Sequence, residues 1–211
     1  MTPKPKATDW DLYYRKDPLL SHITRPIIEN TVMKAFRKYS IQRPVLVELG
    51  GAGSRVYESV MRTVSPTEYH VVDSNRYGLE LMSNRINRPD LFIHEQNVLN
   101  LDLDLQADTV FSLGLIEHFN EEGTRNAVLS HFRLLKLGGI AIISYPTPTP
   151  MYRASRGLAE MAGKWIFHDE RPLRTPEVAQ AMAGRGEIIF EALIWQIFLT
   201  QTLIVARKVA V

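Results

Sequence analysis

Apolar runs alternate along the chain with segments of helical periodicity. The stretch "PVLVELG" (44–50) is apolar apart from Glu48 before it enters a group of small residues, which is typical of a strand buried on both faces of a sheet. Val56, Val60 and Val64 recur every four residues and predict a helix. The stretch "YHVVD" (69–73) follows as a second buried strand. The order strand, helix, strand indicates a sheet with helical connections.

The alternation continues as far as residue 146. Residues 25–39 precede the first strand and carry apolar side chains at helical spacing, with Thr24 and Pro26 at the predicted start. After the second strand, the pattern predicts a helix at 78–86, strands at 90–98 and 107–114, a helix at 124–139 that Gly138 and Gly139 end, and a strand at 140–146. Five strands are thus predicted up to this point.

The last third of the chain departs from this pattern. Residues 146–175 are rich in proline and arginine, and a helix is predicted after them with Thr175 as its N-cap and Pro176 as its first residue. Two β-rich runs near 187–194 and 201–208 then follow each other directly. We therefore predict an α/β fold with a doubly wound, Rossmann-like seven-stranded sheet that ends in an antiparallel hairpin strand.

The composition is that of an ordinary globular domain. The chain has 211 residues, of which 45% are hydrophobic and 23% charged, and this length suits one well-buried domain. A net charge of +2 argues against a dedicated nucleic-acid-binding protein. Cysteine is absent, which excludes disulfides, thiolate metal sites and cysteine nucleophiles, and we predict no metal site. Because the N-terminus shows no apolar signal segment and charged residues interrupt the late apolar stretch, we expect a cytoplasmic protein without membrane insertion.

The small-residue loop "VLVELGGAGS" (45–54) indicates a site for a nucleotide-containing ligand, because small residues let the backbone approach a ligand closely. A dinucleotide-binding fingerprint needs glycines at positions 1, 3 and 6 of a six-residue window. Frames that begin at Gly50 and at Gly51 both fail, because Arg55 and Val56 stand at the third glycine position. The loop therefore disfavours an NAD-dependent oxidoreductase.

The same loop resembles the acid-x-Gly-x-Gly-x-Gly pattern of class I S-adenosylmethionine (SAM) methyltransferases. It reads Glu48-Leu49-Gly50-Gly51-Ala52-Gly53-Ser54, so that alanine and serine replace the second and third glycines. Further matches follow in order: "YHVVD", "HEQNVLNL", and "DTVFSLGLIEHF" with "FRLLKLGGIAIISYP". The last pair resembles the methyltransferase group that includes ubiquinone and menaquinone methyltransferases. The resemblance covers roughly residues 40–146 and implies a SAM-dependent methyltransferase.

The resemblance also implies where the cofactor would bind. Asp73 corresponds to the acid at the end of the second strand that binds both ribose hydroxyls, although Asp73 or Ser74 would also suit a helix N-cap. Asn97 would meet the adenine amino group and Val98 would cover the ring. Glu48 would order the loop and the SAM amino group. The remaining residues expected at the cofactor are Gly50, Gly51, Ala52, Gly53, Ser112, Leu113, Gly114 and Tyr14.

His118 is the first candidate for a catalytic base, because it follows the tip of the fourth strand and its ordinary pKa suits proton transfer at neutral pH. The alternative is that Glu117 and His118 shape the turn and pack beneath the cofactor. Tyr145, at the end of the fifth strand, and His168 are further candidates.

Two variable segments are expected to form the walls of the site. Residues 1–40 predict an N-terminal helical lid rich in aromatic residues, with simple helix packing as the alternative. Within the methyltransferase domain at 41–211, residues 146–175 are expected on the substrate side. Arg153, Arg156 and Arg171 would form a positive rim that favours an anionic acceptor, unless they are solvated surface residues.

Several functions remain compatible with these sequence features. Methylation of pyrimidine C5 needs a cysteine, and methylation of an amino-adenine usually needs a Pro-Pro-aromatic sequence after the fourth strand, where this chain has "SLGLIEHF". We therefore expect methyl transfer to an oxygen or nitrogen atom of a small molecule. The alternatives are a SAM-binding partner protein without activity and, with less support, an NAD-dependent oxidoreductase. The sequence does not define the oligomeric state.

Overall fold

The strands of this protein form one sheet with helices on both faces. The computed structural model describes residues 7–15 and 21–210. The helices are α1 Trp10–Arg15, α2 Ser21–Tyr39, α3 Tyr57–Val64, α4 Arg76–Arg85, α5 Glu121–Leu134, α6 Pro150–Met161 and α7 Thr175–Ala181. The strands are β1 Val45–Leu49, β2 Glu68–Asp73, β3 Leu91–Glu95, β4 Ala107–Leu113, β5 Leu135–Pro146, β6 Gly186–Ile194 and β7 Gln201–Lys208. Short 3₁₀ helices span Val98–Asn100 and Ile116–His118.

The strand order is β3-β2-β1-β4-β5-β7-β6. The first five strands pair in parallel, and β7 joins them antiparallel to both β5 and β6. This confirms the predicted Rossmann-like sheet with a C-terminal hairpin. Strands β1 to β3 are added toward one edge of the sheet and β4 and β5 toward the other, so the strand order reverses between β1 and β4. Sheets of this α/β type bind ligands at the carboxyl ends of the strands beside such a switch point.

Each face of the sheet carries its own apolar core. Successive residues of a strand point to opposite faces, so Leu46 and Val47 enter different cores. One core packs β-strand residues against α5 and α7 and includes the buried ring of Phe132 from α5. The other core packs the sheet against α2, α3 and α4, with Phe36 and Val60 fully buried. The strands are apolar on both faces because both faces are covered.

Helix α2 differs from its prediction in where it starts and in its role. It begins at Ser21, so that Pro26 lies inside the helix instead of opening it. Its residues Val32 and Phe36 are buried in the core, so this part of the predicted lid is a core helix. Residues 1–6 and 16–20 of the lid segment lie outside the described residues.

Helix α5 ends four residues before the glycines that were predicted to stop it. Leu135 already pairs with Ala107, and the register then shifts so that Ile140 pairs with Thr109. The intervening residues form a bulge in which Gly138 has a φ of +79°. These glycines therefore shape the start of β5 and not the end of a helix.

Two helices that begin at a Thr-Pro sequence differ from the prediction. The N-cap of α7 is Arg174, and Thr175 is the first helical residue. Helix α6, inside the segment that was described only as rich in proline and arginine, was not predicted. Its start repeats the Thr-Pro signal, because the Thr149 hydroxyl accepts a hydrogen bond from the Tyr152 N–H at 3.1 Å and Pro150 begins the helix.

None of the helices within 7–15 and 21–210 combines the length and apolarity that a membrane crossing requires.

Candidate functional site

A cavity of about 480 Å³ opens at the carboxyl edge of the sheet, at the switch point between β1 and β4. Residues that follow β1, β2 and β4 line it, together with α1 and the loop before α7. The predicted cofactor residues that line the cavity are Tyr14, Glu48, Gly50, Gly53, Asp73, Ser74, Asn97, Val98, Leu113 and Gly114. The sheet topology brings these separated parts of the chain to one place.

The loop after β1 needs small residues for two different reasons. Gly50 has a φ of +73°, and a Cβ there would lie 2.8 Å from Leu115 Cδ1. A Cβ on Gly53 would lie 2.6 Å from the ring of Tyr14, which covers the loop from α1. Gly51 and Ala52 lie in the same loop, but their side-chain positions are buried beneath it and do not face the cavity.

Glu48 is a buried carboxyl directly below this loop, with only 5% of the residue exposed. The Tyr69 hydroxyl donates a hydrogen bond to Glu48 Oε2 at 2.7 Å. Burial raises the pKa of Glu48 from 4.5 to about 7, because water no longer stabilises the carboxylate, and the Tyr69 hydrogen bond opposes this rise. A cationic ligand group beside Glu48 would stabilise its ionised form.

The buried carboxyl of Glu48 makes the stability of the unliganded protein depend on pH. A carboxyl whose folded pKa is raised binds its proton more tightly in the folded state, so its contribution to stability is lost as the pH rises from 4.5 to about 7. Between pH 5 and pH 8, wild type should lose about 2–3 kcal/mol more unfolding free energy than Glu48→Gln. Urea unfolding of both proteins at the two pH values measures this difference, and parallel pH profiles would contradict the assignment.

Asp73, at the end of β2, joins the first two loops of the site. Its Oδ2 accepts a hydrogen bond from the Ala52 N–H at 3.0 Å, and its Oδ1 accepts one from the Asn75 N–H at 2.8 Å. Burial raises its pKa, and these N–H groups counteract the rise. Asp73 is not the N-cap of α4, since Asn75 has that role and accepts from the Gly78 N–H at 2.7 Å. Each carboxylate oxygen retains acceptor capacity toward the cavity.

Asn97 and Val98 form the wall of the cavity that follows β3. Asn97 Oδ1 accepts a hydrogen bond from the Leu99 N–H at 2.9 Å and caps the short 3₁₀ helix. Val98 is buried beside it, and the neighbouring Gln96 also lines the cavity. An amide and an apolar side chain therefore stand together where a planar ring would find both a polar edge and an apolar surface.

His118 and Asp169 form a hydrogen-bonded pair at the opposite end of the cavity. His118 Nδ1 lies 2.8 Å from Asp169 Oδ1, so the carboxylate accepts the Nδ1 proton and leaves Nε2 with its lone pair. Burial lowers the pKa of His118, and Asp169 partly offsets that effect. Asp169 also accepts hydrogen bonds from the N–H and the hydroxyl of Thr8. At neutral pH the imidazole is thus neutral and oriented.

Of the three residues in the "HDE" run (168–170), only His168 was predicted as a site residue. His168 is exposed and does not belong to the cavity wall, whereas Asp169 and Glu170 both line the cavity. The signal available in the sequence was the pair of acids beside the histidine. Tyr145 also lies away from the cavity, since it is buried in the core and its hydroxyl donates to Thr175 Oγ1 at 3.2 Å.

Ser112 lies behind the cavity wall. It is fully buried, and its hydroxyl lies 2.9 Å from Nε2 of His131, a buried histidine of α5. The following residues Leu113 and Gly114 reach the cavity. Ser112 therefore supports the tip of β4 from inside the protein.

Aromatic residues enclose His118 on the solvent side. The ring centroid of Trp10 lies 4.8 Å from that of His118, and the centroid of Phe167 lies 5.8 Å away. Tyr13 packs against both Trp10 and Phe167, at 5.6 Å from each. Helix α1 is fastened to the site by the Asn75 amide, which donates to Asp11 Oδ1 at 2.7 Å. These rings shield the His118–Asp169 pair from water.

The predicted arginines do not line the cavity. Arg153 is exposed. Arg156 pairs with Glu160 at 2.8 Å and its guanidinium carbon lies 4.9 Å from the Trp165 ring centroid. Arg171 binds both carboxylate oxygens of Glu177. These internal pairs give the expected positive rim no support, and the lining is acidic instead.

No protein-family model matches the sequence, and no curated protein sequence matches it. Solved structures do resemble the fold. A chain from the complex between the Haloferax volcanii Trm112 methyltransferase activator and a putative methyltransferase has a TM-score of 0.76 at 13% identity, covering 97% of this chain and 100% of that one. An O-methyltransferase family protein from Burkholderia thailandensis has a TM-score of 0.72 at 18% identity, covering 98% of this chain and 65% of that one.

A third similar structure contains a bound ligand. Magnesium protoporphyrin IX methyltransferase (ChlM) from Synechocystis PCC 6803, solved with S-adenosylhomocysteine (SAH), has a TM-score of 0.68 at 11% identity and covers 92% of this chain and 89% of that one. Sequence identities this low establish architecture alone. The protein therefore has the Rossmann-like fold of SAM-dependent methyltransferases.

Proposed function

We propose that this protein is a SAM-dependent methyltransferase that acts on a small molecule. The observation that carries the proposal is a pair of carboxyls on either side of the glycine loop: Glu48, which is buried near the end of β1, and Asp73, which is the half-buried last residue of β2. Both face one cavity at the switch point of the sheet. Their spacing along the chain matches the SAM loop that the sequence resembles.

The residues present fit the chemical groups of SAM. Asp73 has two oxygens fixed by backbone N–H groups and can accept two further hydrogen bonds, as a ribose diol requires. Glu48 offers a buried negative charge to an ammonium group. Asn97 and Val98 offer a polar edge and an apolar surface to adenine. When bound, SAM would supply a methyl group on a positively charged sulfur.

The other end of the cavity provides what methyl transfer needs from the protein. His118 is held in the tautomer that accepts a proton at Nε2. Trp10, Tyr13 and Tyr14 cover the cavity and exclude water. The same three rings also help to position a bound acceptor. An oxygen or nitrogen acceptor fits this arrangement. The "IEHF" and "LLKLGG" segments support a place near the ubiquinone and menaquinone group of methyltransferases.

Calorimetry with SAM, SAH and NAD tests the proposal. We expect SAM and SAH to bind and NAD to bind far more weakly. Binding of NAD without SAM would replace the proposal by the oxidoreductase alternative.

Product analysis with methyl-labelled SAM and cell extract then identifies the acceptor without assuming one. Tight SAM binding with no labelled product from extract would favour a SAM-binding partner protein without activity. The resemblance to a chain from a complex with a methyltransferase activator makes this second measurement necessary.

A further inference from the structure

The end of the cavity that contains His118 and Asp169, which we call the acceptor end, is acidic. Glu117, Asp169 and Glu170 line it beside His118, while Arg55 is the single lysine or arginine among the described lining residues. Asp169 is engaged by Thr8 and His118, which leaves the two glutamates to interact with a ligand. A surplus of carboxyls repels an anionic acceptor and attracts a cationic one.

Glu117 is the most informative of these residues. It is 2% exposed, and its Oε2 has no hydrogen-bond partner within 7–15 and 21–210. His118 Nε2 lies 4.0 Å from its Oε1, and this group is charged only when protonated. A buried carboxylate oxygen without a partner is energetically costly unless a ligand satisfies it.

A single cationic group can contact several of these atoms together. Ligand atoms of Glu117, His118 and Glu170 all lie within 4.8 Å of one another. Glu170 is held in place by the Tyr152 hydroxyl and has Arg156 4.0 Å from its Oε1, so Glu117 carries the less compensated charge. Burial and the neighbouring Glu170 raise the pKa of Glu117 well above its ordinary value, so a cation beside Glu117 would favour its ionised form. The three atoms therefore define a compact recognition point for a cationic group.

The surrounding rings favour an organic cation over a metal ion. Trp10, Tyr13 and Phe167 line the same end of the cavity. Aromatic faces stabilise ammonium groups and pack against the carbon skeleton of an amine. A metal ion would gain nothing from these rings and would need water to complete its coordination.

We propose that the acceptor is an amine that binds as its ammonium ion between Glu117 and Glu170, an inference that rests on the proposed methyltransferase function. An N–H bond of the ammonium breaks and its proton moves to His118 Nε2, which leaves a neutral amine. The nitrogen lone pair then forms the N–C bond to the methyl group as the C–S bond breaks, with its electron pair remaining on sulfur. The products are an N-methylammonium ion, SAH and protonated His118.

Binding of simple probes to the SAH-loaded protein tests this inference. Benzylamine, benzyl alcohol and benzoate share one ring and differ in charge, and n-butylamine, n-butanol and butyrate form a second series. By calorimetry, we expect each amine to bind about tenfold or more tightly than its alcohol and the carboxylates to bind most weakly. In Glu117→Gln the preference for amines should disappear, since the isosteric amide removes the charge.

Glu29→Gln is the matched control, because Glu29 also lines the cavity but accepts a hydrogen bond from Ser59 away from His118. It should keep the preference for amines. Measurement of SAH binding in every variant separates the two proposals. If SAH does not bind, the methyltransferase function is contradicted. If SAH binds but neither series shows a preference for amines, only the amine acceptor is overturned. The proposal would also be overturned if the wild type bound Mn²⁺ and showed no preference for amines, and if Glu117→Gln abolished the Mn²⁺ binding. That result would assign the cluster to a metal ion.

Discussion

Replacement of Asp73 by asparagine should weaken the binding of SAM and SAH about 100-fold, because two charge-assisted hydrogen bonds to the ribose become weaker. The structure adds a second reason. Both oxygens of Asp73 accept backbone N–H groups, from Ala52 and from Asn75, so an amide nitrogen must face one of these donors. The variant therefore loses negative charge and also loosens the connection between the two loops. Calorimetric titration with SAH measures the effect without an acceptor.

Asp108→Asn is the matched control for Asp73→Asn. Asp108 also accepts a backbone hydrogen bond, from the Val45 N–H at 2.8 Å, and pairs with Lys136 at 2.7 Å. It lies at the opposite edge of the sheet, at the start of β4. Its loss should reduce stability while SAH affinity stays within about threefold of wild type. Equal affinities in wild type and Asp73→Asn would remove Asp73 from the cofactor site.

Replacement of His118 by alanine should lower turnover by about 10²–10⁴-fold while changing SAM affinity much less, as expected for loss of a general base. Turnover is measured as methyl transfer from labelled SAM to the acceptor identified from extract, and SAM affinity by calorimetry. His168→Ala is the control, because His168 directly follows Phe167 in the sequence but is exposed and lies off the cavity wall. Equal losses of turnover and SAM affinity would instead assign His118 to the cofactor pocket.

Asp169→Asn extends the same test to the residue that positions His118. Asp169 raises the pKa of the imidazole against the larger lowering effect of burial. Without its charge the pKa of His118 falls further, so the acidic limb of the kcat/KM profile should move to lower pH while the maximal rate drops. A purely structural role for Asp169 would leave the position of that limb unchanged.

The sheet and the cofactor end of the site follow from local sequence. Strands β1 and β2 are mostly apolar, apart from Glu48 and His70 inside them, because both faces of the sheet are covered, and Asp73 can be located because it ends such a run. Gly50 sits where the turn needs a positive φ. Each of these signals lies within a few residues of the feature it predicts.

The acceptor end could not be predicted in the same way. His118 and Asp169 are 51 residues apart, and only the folded chain brings them to 2.8 Å. Two of the arginines failed as a guide because acidic partners compensate their charges locally, Glu160 for Arg156 and Glu177 for Arg171. The bulge at Gly138 was mistaken for a helix end because a glycine with positive φ suits both.

The segment from Thr8 to Arg15 touches both ends of the cavity. Tyr14 lies over the glycine loop at Gly53, while Thr8 donates to Asp169 and Trp10 packs on His118. In the proposed enzyme, cofactor and acceptor would share this one cover, and a displacement that admits either ligand would also remove Thr8 from Asp169, the partner of His118. We therefore expect the exchange of ligands and the assembly of the proton acceptor to occur together in the proposed enzyme.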